Sequence, residues 1–375
     1  MRVLVAMDSF KGSLTSQEAG EAVRQGILLA DPDAQVQVHP LADGGEGTVE
    51  AICGEAHIHK VWVTGPLGQP VSARYGILPD TGVAVLEMAA AAGLTLVPPE
   101  KRDPMVTTTY GVGEMILDAI GHGCRRFIVG IGGSATNDGG TGMLTALGFR
   151  FLNQGGSPIP LGAAGLSELA AIDSTHVHPS LQECSFRIAC DVTNPLCGEQ
   201  GCSAVFSPQK GATSETIPRM DAWLSHYAQL TGGDPTVPGA GAAGGMGYGF
   251  LYYLNAKLES GVRIILSETA MEEKLQNADL VITGEGKLDG QSAMGKAPVG
   301  VAMLGKKHNK PVIAIAGSLG ADAYACTDYG ITRYYASTPE GMPLTQAMDP
   351  RIAFENVKNT ARQVVACWQK AEETI

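Results

Sequence analysis

Thr283 to Lys296 gathers two carboxylates (Glu285, Asp289), two ammonium groups (Lys287, Lys296) and the glycines Gly284, Gly286, Gly290 and Gly295 at the end of a short β-branched run, Ala278-Asp279-Leu280-Val281-Ile282. Such a run reads as a parallel strand buried on both faces, so the loop should open at the carboxyl edge of a sheet, where open α/β sheets bind ligands. The inventory suits a phosphorylated ligand. Glycine lets backbone N–H groups approach an oxyanion, lysine neutralises it, and carboxylates hold Mg²⁺. A second loop, Gly130 to Gly140, follows Phe127-Ile128-Val129 and offers the N–H groups of Gly132 and Gly133 beside Ser134, Thr136 and Asn137, again a phosphate-binding inventory. Two more strand ends are polar, Asp8-Ser9-Phe10-Lys11 and Ala42-Asp43-Gly44-Gly45-Glu46. A tight turn or an acidic helix start explains any one of these loops, but no single structural cause explains four of them.

The elements that must carry these loops are legible from periodicity. Val3-Leu4-Val5-Ala6 is a buried strand, Thr15 and Glu18 spell a capping box, and Ala19, Ala22, Val23, Ile27 and Ala30 form one helical stripe before a second strand at Val36-Gln37-Val38. Between about Lys60 and Glu87 short strands alternate with turn residues, which predicts an antiparallel meander and a domain boundary. A helix through Val112 to Ile120 and the strand Phe127 to Val129 follow; Phe186 to Cys190 is a further strand, ending in Asp191-Val192-Thr193-Asn194-Pro195. From Glu268 onward helices and strands alternate regularly, through Pro311 to Ala316, up to an amphipathic helix carrying Phe354, Val357, Ala361, Val364, Val365 and Trp368. The first and last portions are therefore expected to share one parallel sheet, with the middle inserted as a second domain.

Composition narrows the function. The chain has 375 residues, 44% of them hydrophobic, and a formal net charge of −12 without any basic run, which argues against nucleic-acid or anionic-membrane partners and for small molecules. The short apolar start is interrupted at Asp8 and no long apolar run occurs, so a cytoplasmic location is expected. Eight scattered cysteines without a Cys-x-x-Cys pair, and histidines without metal or triad spacing, suggest neither disulfides nor zinc. Three glycine patterns mislead. Gly239 to Gly244 matches a dinucleotide fingerprint but follows no convincing strand; the Gly130 loop lacks the later acidic residue; Gly290 to Lys296 has Ala297 where a P-loop needs a hydroxyl. Pro208-Gln209-Lys210-Gly211-Ala212 carries less information, since a surface turn with an exposed lysine has the same letters.

Taken together the motifs resemble the bacterial glycerate kinases of the first type over essentially the full length. The resemblance rests on Asp8 to Leu14, Ala42 to Thr48, Gly132 to Gly140, Asp191 to Leu196, Pro208 to Ala212, Gly241 to Gly247 and Thr283 to Gly286, with departures at Met7, Cys202 and Ser207. It implies ATP-dependent phosphorylation of D-glycerate at the 2-hydroxyl, and a flavodoxin-like parallel-sheet domain built from both termini (1–75 and 265–375). It also implies an inserted mixed α/β domain of restriction-enzyme-like topology (76–264). Individual roles rest on chemistry. Lys11 with Ser9 suits the glycerate carboxylate, Asp43 and Asn194 suit the substrate, and Asp191 could orient or deprotonate its alcohol. Glu285 and Asp289 are the candidates for Mg²⁺, while the phosphates of ATP would lie against Gly132, Gly133, Ser134 and Asn137 or against Gly284, Lys287 and Lys296. Phosphorylation at the 3-hydroxyl, a nicotinamide-dependent oxidoreductase and a non-catalytic small-molecule sensor are the competing readings.

Overall fold

The computed structural model describes residues 1–42, 45 and 47–372 and resolves into two compact units, one formed by Met1–Asp43 with Val262–Ile375 and the other by Gly44–Gly261.

In the first unit the strand Arg2–Met7 has no polar side chain after Arg2, and it lies between two neighbours. Leu280–Gly284 pairs with it in parallel, Val3 opposite Leu280 and Met7 opposite Gly284, and Gln35–Val38 pairs on its other side. Val312–Ala316 and Arg333–Ala336 extend the sheet beyond Leu280–Gly284, every pairing being parallel. Side chains alternate between the two faces of a strand. Val3, Val5, Met7, Leu280 and Ile282 enter one core with the helices Ser16–Ala30 and Pro350–Glu372. These helices cross where Gly26 has no side chain; a Cβ there would stand 2.2 Å from the Lys358 carbonyl oxygen. The helix Ser16–Ala30 opens with the expected capping box, Thr15 Oγ1 accepting from the Glu18 N–H while Glu18 accepts from the Thr15 N–H.

The second unit is built on a mixed sheet in the order Lys257–Glu259, Ser185–Ala189, Arg126–Gly130, Val83–Glu87, Pro70–Ile77, Ile58–Thr64. The first four strands are parallel and the last two form the antiparallel meander that the turn residues predict. The expected boundary near residue 75 is displaced. Val83–Glu87 is register-paired with Arg126–Gly130, and the Ile58–Thr64 and Pro70–Ile77 hairpin hangs on its free edge, so 44–75 folds with the second unit. A meander reads as a change of architecture in sequence because it is antiparallel, yet it belongs to the sheet that it extends.

Gly284, whose sequence neighbours suggest phosphate binding, is constrained by packing. A Cβ there would sit 1.8 Å from the Ile315 carbonyl oxygen and 2.6 Å from the Met7 side chain. Gly284→Ala should force the two strands apart and destabilise the protein by about 1–3 kcal/mol, read as a lower denaturant midpoint at unchanged m value.

Candidate functional site

In the second unit Gly130 and Ala189 are register partners, so Gly132 and Asp191, each two residues further on, leave adjacent parallel strands at the same carboxyl edge. Gly132 and Gly133 are exposed, whereas Ser134 to Gly140 is buried throughout. Gly133 has φ +73°, a left-handed conformation that favours glycine. A side chain at Gly132 would first meet the Gly45 Cα at 3.5 Å, so close approach of another backbone is not what excludes one. The turn is tied down from both sides: the Leu94 N–H donates to Gly133 O at 2.8 Å and the Ala135 N–H to Ala92 O at 2.9 Å. The exposed glycines thereby sit on a fixed loop, and a fixed loop binds an anion at low entropic cost.

Beneath this turn lie two buried charges. Asp138 has no exposed surface and accepts from the Thr109 N–H and Oγ1 at 2.9 Å each, from the Gly140 N–H at 3.1 Å and from the Gly142 N–H at 3.3 Å. Burial raises its pKa and those four donors oppose the rise. Lys210 is not the exposed turn lysine that its letters would equally allow. It is 2% exposed, and Nζ donates to Ser134 Oγ and to Thr136 O, each at 2.7 Å. Burial pulls its pKa down to about 8, against the opposite pull of Cys202 and Asp138. No periodicity marks Lys210 or Asp138; both stand out only as charged letters inside motifs that the family resemblance already singled out.

In the first unit Met7 is opposite Gly284, and the Asp8 N–H continues the ladder to Gly284 O at 2.8 Å. The segments beginning Ser9 and Glu285 therefore leave the sheet side by side. The Ser9 N–H donates to Asp8 Oδ1 at 2.7 Å, and Lys11 is exposed. Glu285 is nearly buried, accepts from Ser292 Oγ, and has Lys296 Nζ 3.7 Å from Oε2. Burial raises its pKa; Ser292, Lys296 and Lys11 oppose this and Asp289 adds to it. Asp289 caps the short helix Gly290–Ala293, with its backbone N–H bonded to Ser292 Oγ at 3.1 Å, and pairs with Lys287 at 3.1 Å. Ser292 thus joins both carboxylates. Its only sequence signal is its place three residues after a capping aspartate.

The expected site residues consequently fall into two groups. Gly132, Gly133, Ser134 and Asp191 share one sheet edge; Ser9, Lys11, Glu285, Asp289 and Lys296 share another, with Lys287 exposed beside Asp289. Asn137 does not reach a ligand-accessible surface: it is fully buried and donates to Ser203 Oγ at 2.8 Å, because the loop turns inward after Gly133. Asn194 is half-buried and donates to Gln200 O at 2.8 Å, bracing the loop that follows Asp191. Asp191 is exposed and Oδ1 accepts from the Gly261 N–H at 3.2 Å. Asp43 lies outside the described residues. Among the described residues no group of three or more His, Cys, Asp or Glu is arranged to hold a metal ion, and no helix is long and apolar enough to cross a membrane. The strand ends at Gly130 and the next helix starts only at Thr141, so the loop is not a dinucleotide turn feeding directly into a helix.

Comparison with known proteins gives the family. The glycerate kinase family model matches residues 3–369. A glycerate 2-kinase of Escherichia coli K12 is 46% identical over 98% of this chain and 97% of its own length, and a glycerate kinase of Halalkalibacterium halodurans is 45% identical over 98% and 99%. The crystal structure of a candidate glycerate kinase 2 from Salmonella typhimurium LT2 superposes with a TM-score of 0.90 at 46% identity, covering 100% of this chain and 99% of that one. The fold is mixed α/β with parallel sheets, and the matching family is one of enzymes. The chain belongs to the glycerate kinase family.

Asp138→Asn should leave an amide N–H facing a backbone donor in a dry interior. The variant is expected to lose about 1–3 kcal/mol or more of stability, seen as a lower Tm, because the removed acceptor served buried donors.

Proposed function

We propose that the protein transfers the γ-phosphoryl group of ATP to the 2-hydroxyl of D-glycerate, giving 2-phosphoglycerate and ADP. Family membership supports glycerate as acceptor, and the relative from Escherichia coli supports the 2-position. The observation that carries a kinase chemistry for this chain is the placement of an exposed glycine turn, Gly132-Gly133, and an exposed carboxylate, Asp191, on neighbouring strand ends. Phosphoryl transfer asks the protein chiefly to position the nucleophile and screen charge. In this reading the turn's N–H groups hold anionic oxygens, Asp191 orients the alcohol and takes its proton late, and Lys11 with Ser9 meets the glycerate carboxylate. Asp43 and Asn194 are assigned to the same substrate, Asn194 through the loop that it braces.

Lys296 and Lys287 are the cations proposed for the nucleotide's phosphates. Glu285 and Asp289 would hold Mg²⁺, which neutralises charge on the phosphoryl oxygens when bound. A pair of carboxylates is short of a protein cage, and this fits an ion that keeps water and substrate phosphate among its ligands. The strand order of the first unit, with the second strand in the chain at one edge and the remaining three following the first, supports a flavodoxin-like description. A restriction-enzyme-like topology is proposed for the second unit from the family resemblance and its mixed sheet. The net charge of −12 supports small-molecule partners over nucleic acid and fits a cytoplasmic enzyme.

A coupled ADP-release assay across small hydroxy acids should show turnover with D-glycerate and Mg²⁺-ATP together, and phosphorus NMR should place the new ester on C2. Turnover that survives removal of divalent ions by a chelator, or an ester on C3, would count against the proposal. Asp191→Asn keeps an acceptor oxygen for the Gly261 N–H. We expect unchanged ligand affinities and Tm, with kcat lowered about 10²-fold or more.

A further inference from the structure

Lys210 is enclosed, charged and absent from every role assigned above. Its ammonium has two acceptors, Ser134 Oγ and Thr136 O, both on the underside of the turn whose upper surface is Gly132-Gly133. An ammonium has protons and no lone pair, so Ser134 Oγ must be the acceptor in this bond. The Ser134 hydroxyl proton is then left without an acceptor among the described residues, while the residue as a whole keeps a small exposed area, 8%. A hydroxyl that accepts from a cation is also polarised into a stronger donor.

We propose that Lys210 is a positioning residue that keeps the Ser134 hydroxyl proton turned outward, as a donor to an anionic oxygen of the ligand held by the Gly132–Ser134 turn. The proposal rests on the phosphotransferase reading of that turn. Its ligand chemistry is an anionic oxygen, which either a phosphoryl group of ATP or the carboxylate of glycerate supplies. Protonation enters as a control on the donor. A neutral amine would accept the Ser134 proton and turn the hydroxyl inward. With the lysine pKa pulled down to about 8, the charged form prevails below that pH and is lost as pH rises through it. The ionisable groups facing Lys210 are Cys202, whose thiol burial pushes up to about 12, and Asp138, held by its four donors.

The test uses the full chain with Ser134→Ala, Lys210→Met and the double variant, measuring KM for ATP and for D-glycerate separately together with Tm. Ser134→Ala should raise one of the two KM values about tenfold or more, the scale of a hydrogen bond to a charged group. Which KM rises tells whether the oxygen belongs to phosphate or to carboxylate. Lys210→Met should raise the same KM, and the double variant should be no worse than Lys210→Met alone, because both changes remove one donor. In the unmodified protein that KM should climb above about pH 8, and the climb should vanish in Ser134→Ala. The proposal is overturned if Ser134→Ala leaves both KM values within about twofold, or if the two substitutions simply add. Should Lys210→Met fail to fold, Ser134→Ala and the pH profile decide alone. Failure of the functional reading looks different, since the unmodified protein would then transfer no phosphoryl group at all.

Discussion

A carboxylate cannot be taken out of water unless donors replace the water, and Asp138 is where this protein meets that demand. Its four donors come from two places: Thr109, immediately before the helix Tyr110–Gly121, and Gly140 with Gly142, at the start of the helix Thr141–Ala146. Two helix starts, each with unsatisfied N–H groups and partial positive charge, are thereby pinned on one anion. The Gly132 to Gly140 loop has to turn inward to deliver Asp138 to that point. The inward turn buries Asn137, brings Thr136 O to Lys210 and leaves Gly132 and Gly133 as the outer surface. The exposed turn is in this sense the outside of a buried electrostatic knot.

Charge placement in the first unit follows a looser rule. Glu285 and Asp289 are linked through Ser292 and flanked by Lys296 and Lys287, with Lys11 close enough to affect the Glu285 carboxyl. None of these cations is buried as Lys210 is. A flexible, partly hydrated group of alternating charges can rearrange around an arriving polyanion at small cost, whereas a fixed turn supplies geometry. The two strand ends thus differ in physical character, the first adaptable and the second preorganised.

Periodicity made most elements of the sheets readable. Val3 to Met7, Leu280 to Ile282 and Phe127 to Val129 are apolar because both faces of a parallel strand are covered, and the Thr15 and Glu18 capping box fixes a helix start locally. The boundary near residue 75 was misplaced because strand partners are non-local: nothing in Ile58–Thr64 says that its hairpin continues the sheet of Arg126–Gly130. The strand-end letters also showed where chemistry would cluster, but not which groups face a ligand. Gly284 and Asn137 carry the same letters as ligand-binding residues and are used for packing and for an internal bond. Lys210 was illegible for the opposite reason, because burying a lysine depends on acceptors contributed by Ser134 and Thr136, far away in the chain.

The pairing of Arg2–Met7 with Leu280–Gly284 has a consequence for how the chain is made. Leu4 and Val281 are register partners, yet almost three quarters of the chain separates them, while Gly44–Gly261 is continuous and contains all the strands of its own sheet. A growing polypeptide exposes the strand Arg2–Met7 long before its partner Leu280–Gly284 exists, so Val3 to Met7 must wait, unpaired on that side, while the continuous unit can fold by itself. Closing that long loop late carries only a slowly growing entropic cost, and the burden falls on time rather than on stability. The apolar strand Arg2–Met7 is therefore open to aggregation on that side until Leu280–Gly284 is made, and Arg2, which ends up bonded to Asp279 at 2.8 Å, gives one end of it a charge throughout that interval.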